Sequence, residues 1–182
     1  MRAAALFVLL ALVAGCGRSS PSSPPETVVD RSRELPVDVK AFLDRVADEH
    51  TLAFTATYDV LKRLGGEEST VEVEADPPDV TITAGEVVVV NGENEAALSA
   101  VGIFSGFMTT GPAKAIEAAA RRADAEPARH SSRTAAGIRL DCIQIPVQDT
   151  AASTACLTPD GIFGFVDNPA VRYELTEYRP AG

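Results

Sequence analysis

Few side chains in this 182-residue chain are spaced for chemistry. The two histidines, His50 and His130, stand far apart in sequence, and no glycine-rich phosphate loop precedes a helix. Glu72 and Glu74 form a carboxylate pair of the kind that general acid–base catalysis uses. They alternate with Val71, Val73 and Ala75, however, so strand alternation alone puts both on one outer face. The run Gly102-Ile103-Phe104-Ser105-Gly106 has a serine between glycines, but a nucleophile elbow needs that serine in the middle of Gly-x-Ser-x-Gly. Cys142 and Cys156 are separated too widely for a Cys-x-x-Cys redox pair, and no His/Cys cluster offers zinc ligands. No catalytic residue, metal site or cofactor site emerges, and the chain is expected not to be an enzyme. One residue remains whose neighbours give it a chemical fate, Cys16.

Cys16 ends a basic start (Met1-Arg2), an unbroken apolar run over residues 3–14, and the small-residue string Val13-Ala14-Gly15. The run is shorter than the about 20 residues that a membrane-spanning helix needs, and its layout is that of a secretory signal peptide. With cysteine directly after Val-Ala-Gly, the ending resembles the lipobox of bacterial lipoproteins. That resemblance implies acylation of the Cys16 thiol, with chains such as palmitate, and an anchor in the cell membrane on its extracytoplasmic face. The alternative is a plain secretory signal with an incidental cysteine. If Cys16 carries lipid, the pair left over is Cys142 and Cys156, in a compartment where disulfides persist. A bridge there would close a loop worth about 3 kcal/mol of chain entropy, and the alternative is two free thiols.

Without residues 1–15 the remainder is one ordinary domain plus a tether. Arg2 leaves with the signal, so 15 basic against 26 acidic residues give a formal charge of −11. Such acidity argues against nucleic acid, where Lys and Arg contacts to phosphate dominate binding. It also argues against adhesion to anionic headgroups, so the link to the membrane should be the acyl group. With no tryptophan and 5% aromatics, an aliphatic interior is expected.

Residues 16–35 read as the lipidated cysteine and a flexible Ser/Pro-rich tether, and residues 36–180 as one domain. Pro36 sits where a helix can start, and Val39, Phe42, Leu43, Val46 and Ala47 recur at helical spacing, predicting a helix over residues 37–50 with His50 at its end. From Thr51 the period changes to two, and strands with turns at Asp76-Pro77-Pro78-Asp79, Ala84-Gly85 and Asn91-Gly92 form a meander. Residues 95–108 are apolar nearly all round, which predicts a buried helix, with Gly102 and Gly106 thinning it for close approach. Pro112 opens an alanine-rich helix expected at the rim. A polar strand near residues 129–134, with His130 solvated, leads into four further strands.

The order of these parts is similar to lipoproteins of the LolA-like class, in particular the actinobacterial LppX/LprG carriers. It is carried by the Cys16 motif and tether, the strand Ala53-Phe54-Thr55-Ala56-Thr57-Tyr58, the meander, a helical insertion, then Ala136-Gly137-Ile138-Arg139-Leu140-Asp141-Cys142 and Cys156-Leu157-Thr158-Pro159-Asp160-Gly161-Ile162. The resemblance implies an α+β fold, a curved antiparallel half-barrel of eight or nine strands with helices on its concave side. It implies, too, a membrane-anchored carrier or sensor of an apolar ligand, a lipid or acyl chain. The same parity along each strand makes Leu52, Phe54, Tyr58, Val71, Val73, Val80 and Ile82 the sheet's candidate lining, and the helix would add Ile103, Phe104 and Phe107. The alternative is an envelope adaptor with a filled core, no ligand, and a protein partner that the sequence does not name. Replacing Cys16→Ser is expected to move the protein from the membrane fraction to the soluble one, and unchanged partition would refute the anchor.

Overall fold

In the computed structural model, residues 34–63, 65–93, 95–100, 106–122, 125–147 and 152–181 are described. Cys16, Ile103 and Phe104 lie outside them. The fold is α+β. Among the described residues, nine strands form a single antiparallel sheet: β1 (Phe54–Lys62), β2 (Glu67–Asp76), β3 (Asp79–Ala84), β4 (Val87–Val90), β5 (Arg129–Ala135), β6 (Ile138–Ile145), β7 (Ser153–Leu157), β8 (Phe163–Asp167) and β9 (Val171–Pro180). Their spatial order is β4-β3-β2-β1-β9-β8-β7-β6-β5, so two meanders join where the first strand meets the last. The helices are α1 (Val37–Leu43), α2 (Glu95–Ala100) and α3 (Thr110–Ala120).

Alternation decides which face is buried. Phe54, Ala56, Tyr58 and Val60 of β1 are buried, as are Val71, Val73 and Ala75 of β2, while Thr55, Asp59, Glu72 and Glu74 face water. α1 and α3 cover the apolar face, with Val39, Phe42 and Ile116 buried beneath them. Phe42 meets Phe163 of β8 at 6.3 Å between ring centres.

The first helix is shorter than its periodicity predicts. It stops at Leu43, because Arg45 and Val46 donate to the carbonyls of Phe42 and Leu43 in a tighter turn, and the Ala47 N–H leaves to bond the Gly161 carbonyl at 2.9 Å. A short 3₁₀ turn at Glu49–Thr51 follows, so exposed His50 does not end the first helix; its N–H bonds the Asp48 carboxylate. The second departure lies in residues 95–108. α2 is described over Glu95–Ala100, and Gly106 adopts φ +72°, a left-handed conformation that no continuous helix tolerates. Phe107 and Met108 therefore sit in a turn before α3. That helix is no rim element either, since Pro112, Ile116, Ala119 and Ala120 are buried and it touches β6 and β7. Its alanines let the backbone come close to the sheet.

Cys142 and Cys156 are bonded, directly opposite each other on β6 and β7 with Cα atoms 3.9 Å apart, inside the limit of about 7 Å for bridging. The sheet does not stay flat beyond them. Cys142, Cys156, Phe165 and Glu174 fall opposite one another in successive registers and so share one face. Arg133 of β5 reaches that face, with its guanidinium 3.6 Å from the Phe165 ring centre and 2.7 Å from the Glu174 carboxylate. The β5–β6 hairpin thus curls back over β8 and β9.

Gly161 ties this half to α1. It has φ +86°, and a Cβ there would lie 2.3 Å from the Arg45 carbonyl oxygen. Gly161→Ala is expected to cost roughly 1–3 kcal/mol in a calorimetric melt, through strain and the lost Ala47 bond together. An unchanged melt would show that this approach is not needed.

Candidate functional site

The concave face is where a ligand would sit, and its lining follows from strand parity. Phe54, Tyr58, Val71, Val73, Val80, Ile82 and Phe107 are all buried there, and Leu52, just before β1, is half-buried. Over β1 and β9 these side chains meet protein. Phe107 stands edge-on to Tyr58, with ring centres 5.3 Å apart, and to Tyr173 at 5.5 Å; Tyr58 and Tyr173 are 5.8 Å apart and nearly perpendicular. Each edge-to-face pair of this kind adds about 0.5–1.5 kcal/mol beyond the area it buries. The Tyr173 hydroxyl donates to the Phe107 carbonyl, and the Phe163 N–H donates to the Met108 carbonyl at 2.9 Å. Met108, Thr109 and Ile116 complete the packing. The middle of an interior expected to be aliphatic is therefore aromatic. Tyr173, absent from the candidate lining, is its third member, and the alternation Val171, Tyr173, Leu175 was the signal that pointed to it.

A cleft of about 640 Å³ opens beside this plug. The chain at Val46, Asp48 and His50 forms one wall, the turn at Gly106 and Thr109 another, and Val80 and Ile82 the apolar floor. Of the described candidate lining residues, only Val80 and Ile82 border it. Asn91 at its mouth is fixed, accepting from the Val80 N–H at 2.8 Å and donating to Asp79 at 2.7 Å. The cleft's volume suits a small ligand, whose pockets usually span about 300–1,000 Å³.

Elsewhere the polar groups are structural. Tyr178 donates to Asp160 at 2.7 Å and stacks at a tilt on Phe54. Burial, and then the Asp160 carboxylate, hold its hydroxyl protonated well above the ordinary tyrosine range. Arg63 pairs with Asp167 and Arg45 with Asp141. Glu72 and Glu74 stand opposite Thr57 and Thr55 on the exposed face of β2, where strand alternation puts them. Among the described residues, no three His, Cys, Asp or Glu side chains gather as metal ligands.

No family model matches the chain, and no curated protein matches it in sequence. Solved structures match it in fold. It is similar to MucB, with a TM-score of 0.56 at 16% identity over 81% of this chain and 60% of that one. It is similar also to a chain of the Pseudomonas aeruginosa MucA/MucB complex, with a TM-score of 0.50 at 14% identity over 80% of this chain and 58% of the other. The chain thus spans about three-fifths of the length of the structures it matches. The likeness places the sheet and helices in the LolA-like half-barrel fold, and it does not extend to the LppX/LprG carriers in particular.

Phe107→Ala is expected to cost about 3–5 kcal/mol in urea unfolding, as removal of a buried ring does. Tyr173→Phe, which keeps the ring and removes the hydroxyl that bonds the Phe107 carbonyl, should cost about 0.5–1.5 kcal/mol. Equal costs for the two would mean that the rings do not support the fold as described.

Proposed function

We propose that this protein is a lipid-anchored, non-enzymatic adaptor of the extracytoplasmic membrane face, tethered through Cys16 and residues 17–35 and engaging a protein partner. The observation that carries this reading is the plug of Tyr58, Phe107 and Tyr173, which occupies the middle of the concave face with the protein's own side chains. Binding on such a scaffold falls to its outer surfaces. The lipobox-like Val13-Ala14-Gly15-Cys16 and the disulfide support an oxidising, membrane-bound location. The MucA/MucB complex, formed by a protein of similar fold, supports a polypeptide partner.

A second reading, carriage of a lipid or acyl chain, is favoured by the cleft floored by Val80 and Ile82. Ile103 and Phe104 belong to this reading as further lining. Native mass spectrometry of the protein purified gently from its host envelope separates the two. The adaptor reading expects a bound polypeptide and no stoichiometric lipid. A one-to-one lipid that disappears in Ala113→Trp, which fills the cleft, would put the carrier in its place.

A further inference from the structure

Among the described residues the sheet ends at β5, and one side of that strand's backbone has no strand partner there. Of residues 129–134 only Arg133 is half-buried, and the others are exposed. An open edge is a template for another strand, and natural sheets place charges on edges to discourage stray pairing. Either sign would serve that purpose. Acids outnumber bases in this chain, 26 to 16, yet the β5–β6 hairpin carries Arg129, Arg133 and Arg139 against Asp141 alone. Residues 54–93, by contrast, hold nine acids and only Lys62 and Arg63 as bases. The basic edge runs against the composition.

Beside the edge, on the α1 side, lies a groove of about 610 Å³ lined by Arg45, His130, Ser132, Arg139 and Asp141 among others. Ser132 stands opposite Asp141 and Thr134 opposite Arg139, so side chains of that parity share the groove's face. Arg45 is paired with Asp141, and His130 lies 3.4 Å from Asp38. Arg139 is exposed, and no ion pair holds it among the described residues. The hairpin's other face carries Arg133, which pairs with Glu174, and turns toward a crease where Asp59, Glu68 and Glu174 outnumber Arg172. The two faces therefore differ in the charge that they accept.

We propose that the open edge of β5 takes up an extended acidic segment of a partner protein as a tenth strand. Its carboxylates alternate onto the groove side to meet Arg139, and uncharged side chains face the acidic crease. Successive strand residues point to opposite faces, so the segment recognised is one that alternates acidic and neutral residues. The proposal rests on the adaptor reading and names the partner's chemistry and the surface that it uses.

The test uses detergent-solubilised full-length protein and a labelled peptide of alternating glutamate and threonine. Fluorescence anisotropy should show binding that weakens with added salt, as screening demands. Hydrogen exchange should slow across β5 and not across β4. Arg139→Glu should weaken binding roughly fivefold, and Lys114→Glu, an exposed change on α3, should leave it unaltered. Exchange unchanged at β5, full affinity in Arg139→Glu, or equal binding by a peptide with its glutamates in one block would overturn the proposal. A partner from the host envelope that Arg139→Glu still retains would overturn this edge and leave the adaptor standing. A stoichiometric lipid with no partner would overturn the adaptor whatever the peptide does.

Discussion

Three rings hold the two meanders to the helical layer. Tyr58 comes from β1, Tyr173 from β9, and Phe107 from the turn that precedes α3, and each presents an edge to another's face. The contact spans the seam where the N-terminal and C-terminal strands meet, so it fixes the position of the helical layer over the sheet. The hydrogen bond from Tyr173 to the Phe107 backbone adds a direction that apolar packing lacks. Left-handed Gly106 makes the arrangement possible, since it turns the chain so that Phe107 points into the sheet. A Cβ at Gly106 would lie 2.2 Å from the Thr110 hydroxyl.

The C-terminal half is organised by a different contact. The disulfide locks β6 to β7, and Arg133 then closes the curl by stacking on Phe165 and pairing with Glu174. A half-buried guanidinium between a ring and a carboxylate is stabilised by both, more than an exposed ion pair would be. One side of the curl offers a basic groove and the other an acidic crease. An acidic protein thereby acquires a local surface with the opposite preference.

Much of this architecture was legible in the residues. Alternation such as Val71-Glu72-Val73-Glu74-Ala75 marks a strand with one buried face wherever it occurs, and the meanders, their turns and the lining parity follow from it. The cysteine pairing followed from the compartment that the Cys16 string implies. The helix ends were not legible. Residues 44–47 keep helical spacing but leave the helix for a bond to Gly161, a partner more than a hundred positions away. Gly106 reads equally well as a thin spot in a helix or as its end. Nor could burial distinguish a cavity from a core, since an apolar side chain gains about the same 1.5–3 kcal/mol against a ligand as against a neighbouring residue. The curl of β5 was illegible for a related reason, because sheet curvature arises from contacts such as Arg133 with Phe165 that no local pattern encodes.

The pairing of β1 with β9 bears on how the chain reaches this state. Thr57 and Thr176, bonded across that seam, are 119 positions apart. During synthesis the first meander emerges long before the strand that covers the flank of β1. Until then β1 has a bare edge and its apolar face lacks Tyr173. Distant pairing of this kind slows folding and lengthens exposure to self-association. The exposed glutamates of β2 act in that interval, since like charges keep the waiting meanders of neighbouring chains apart.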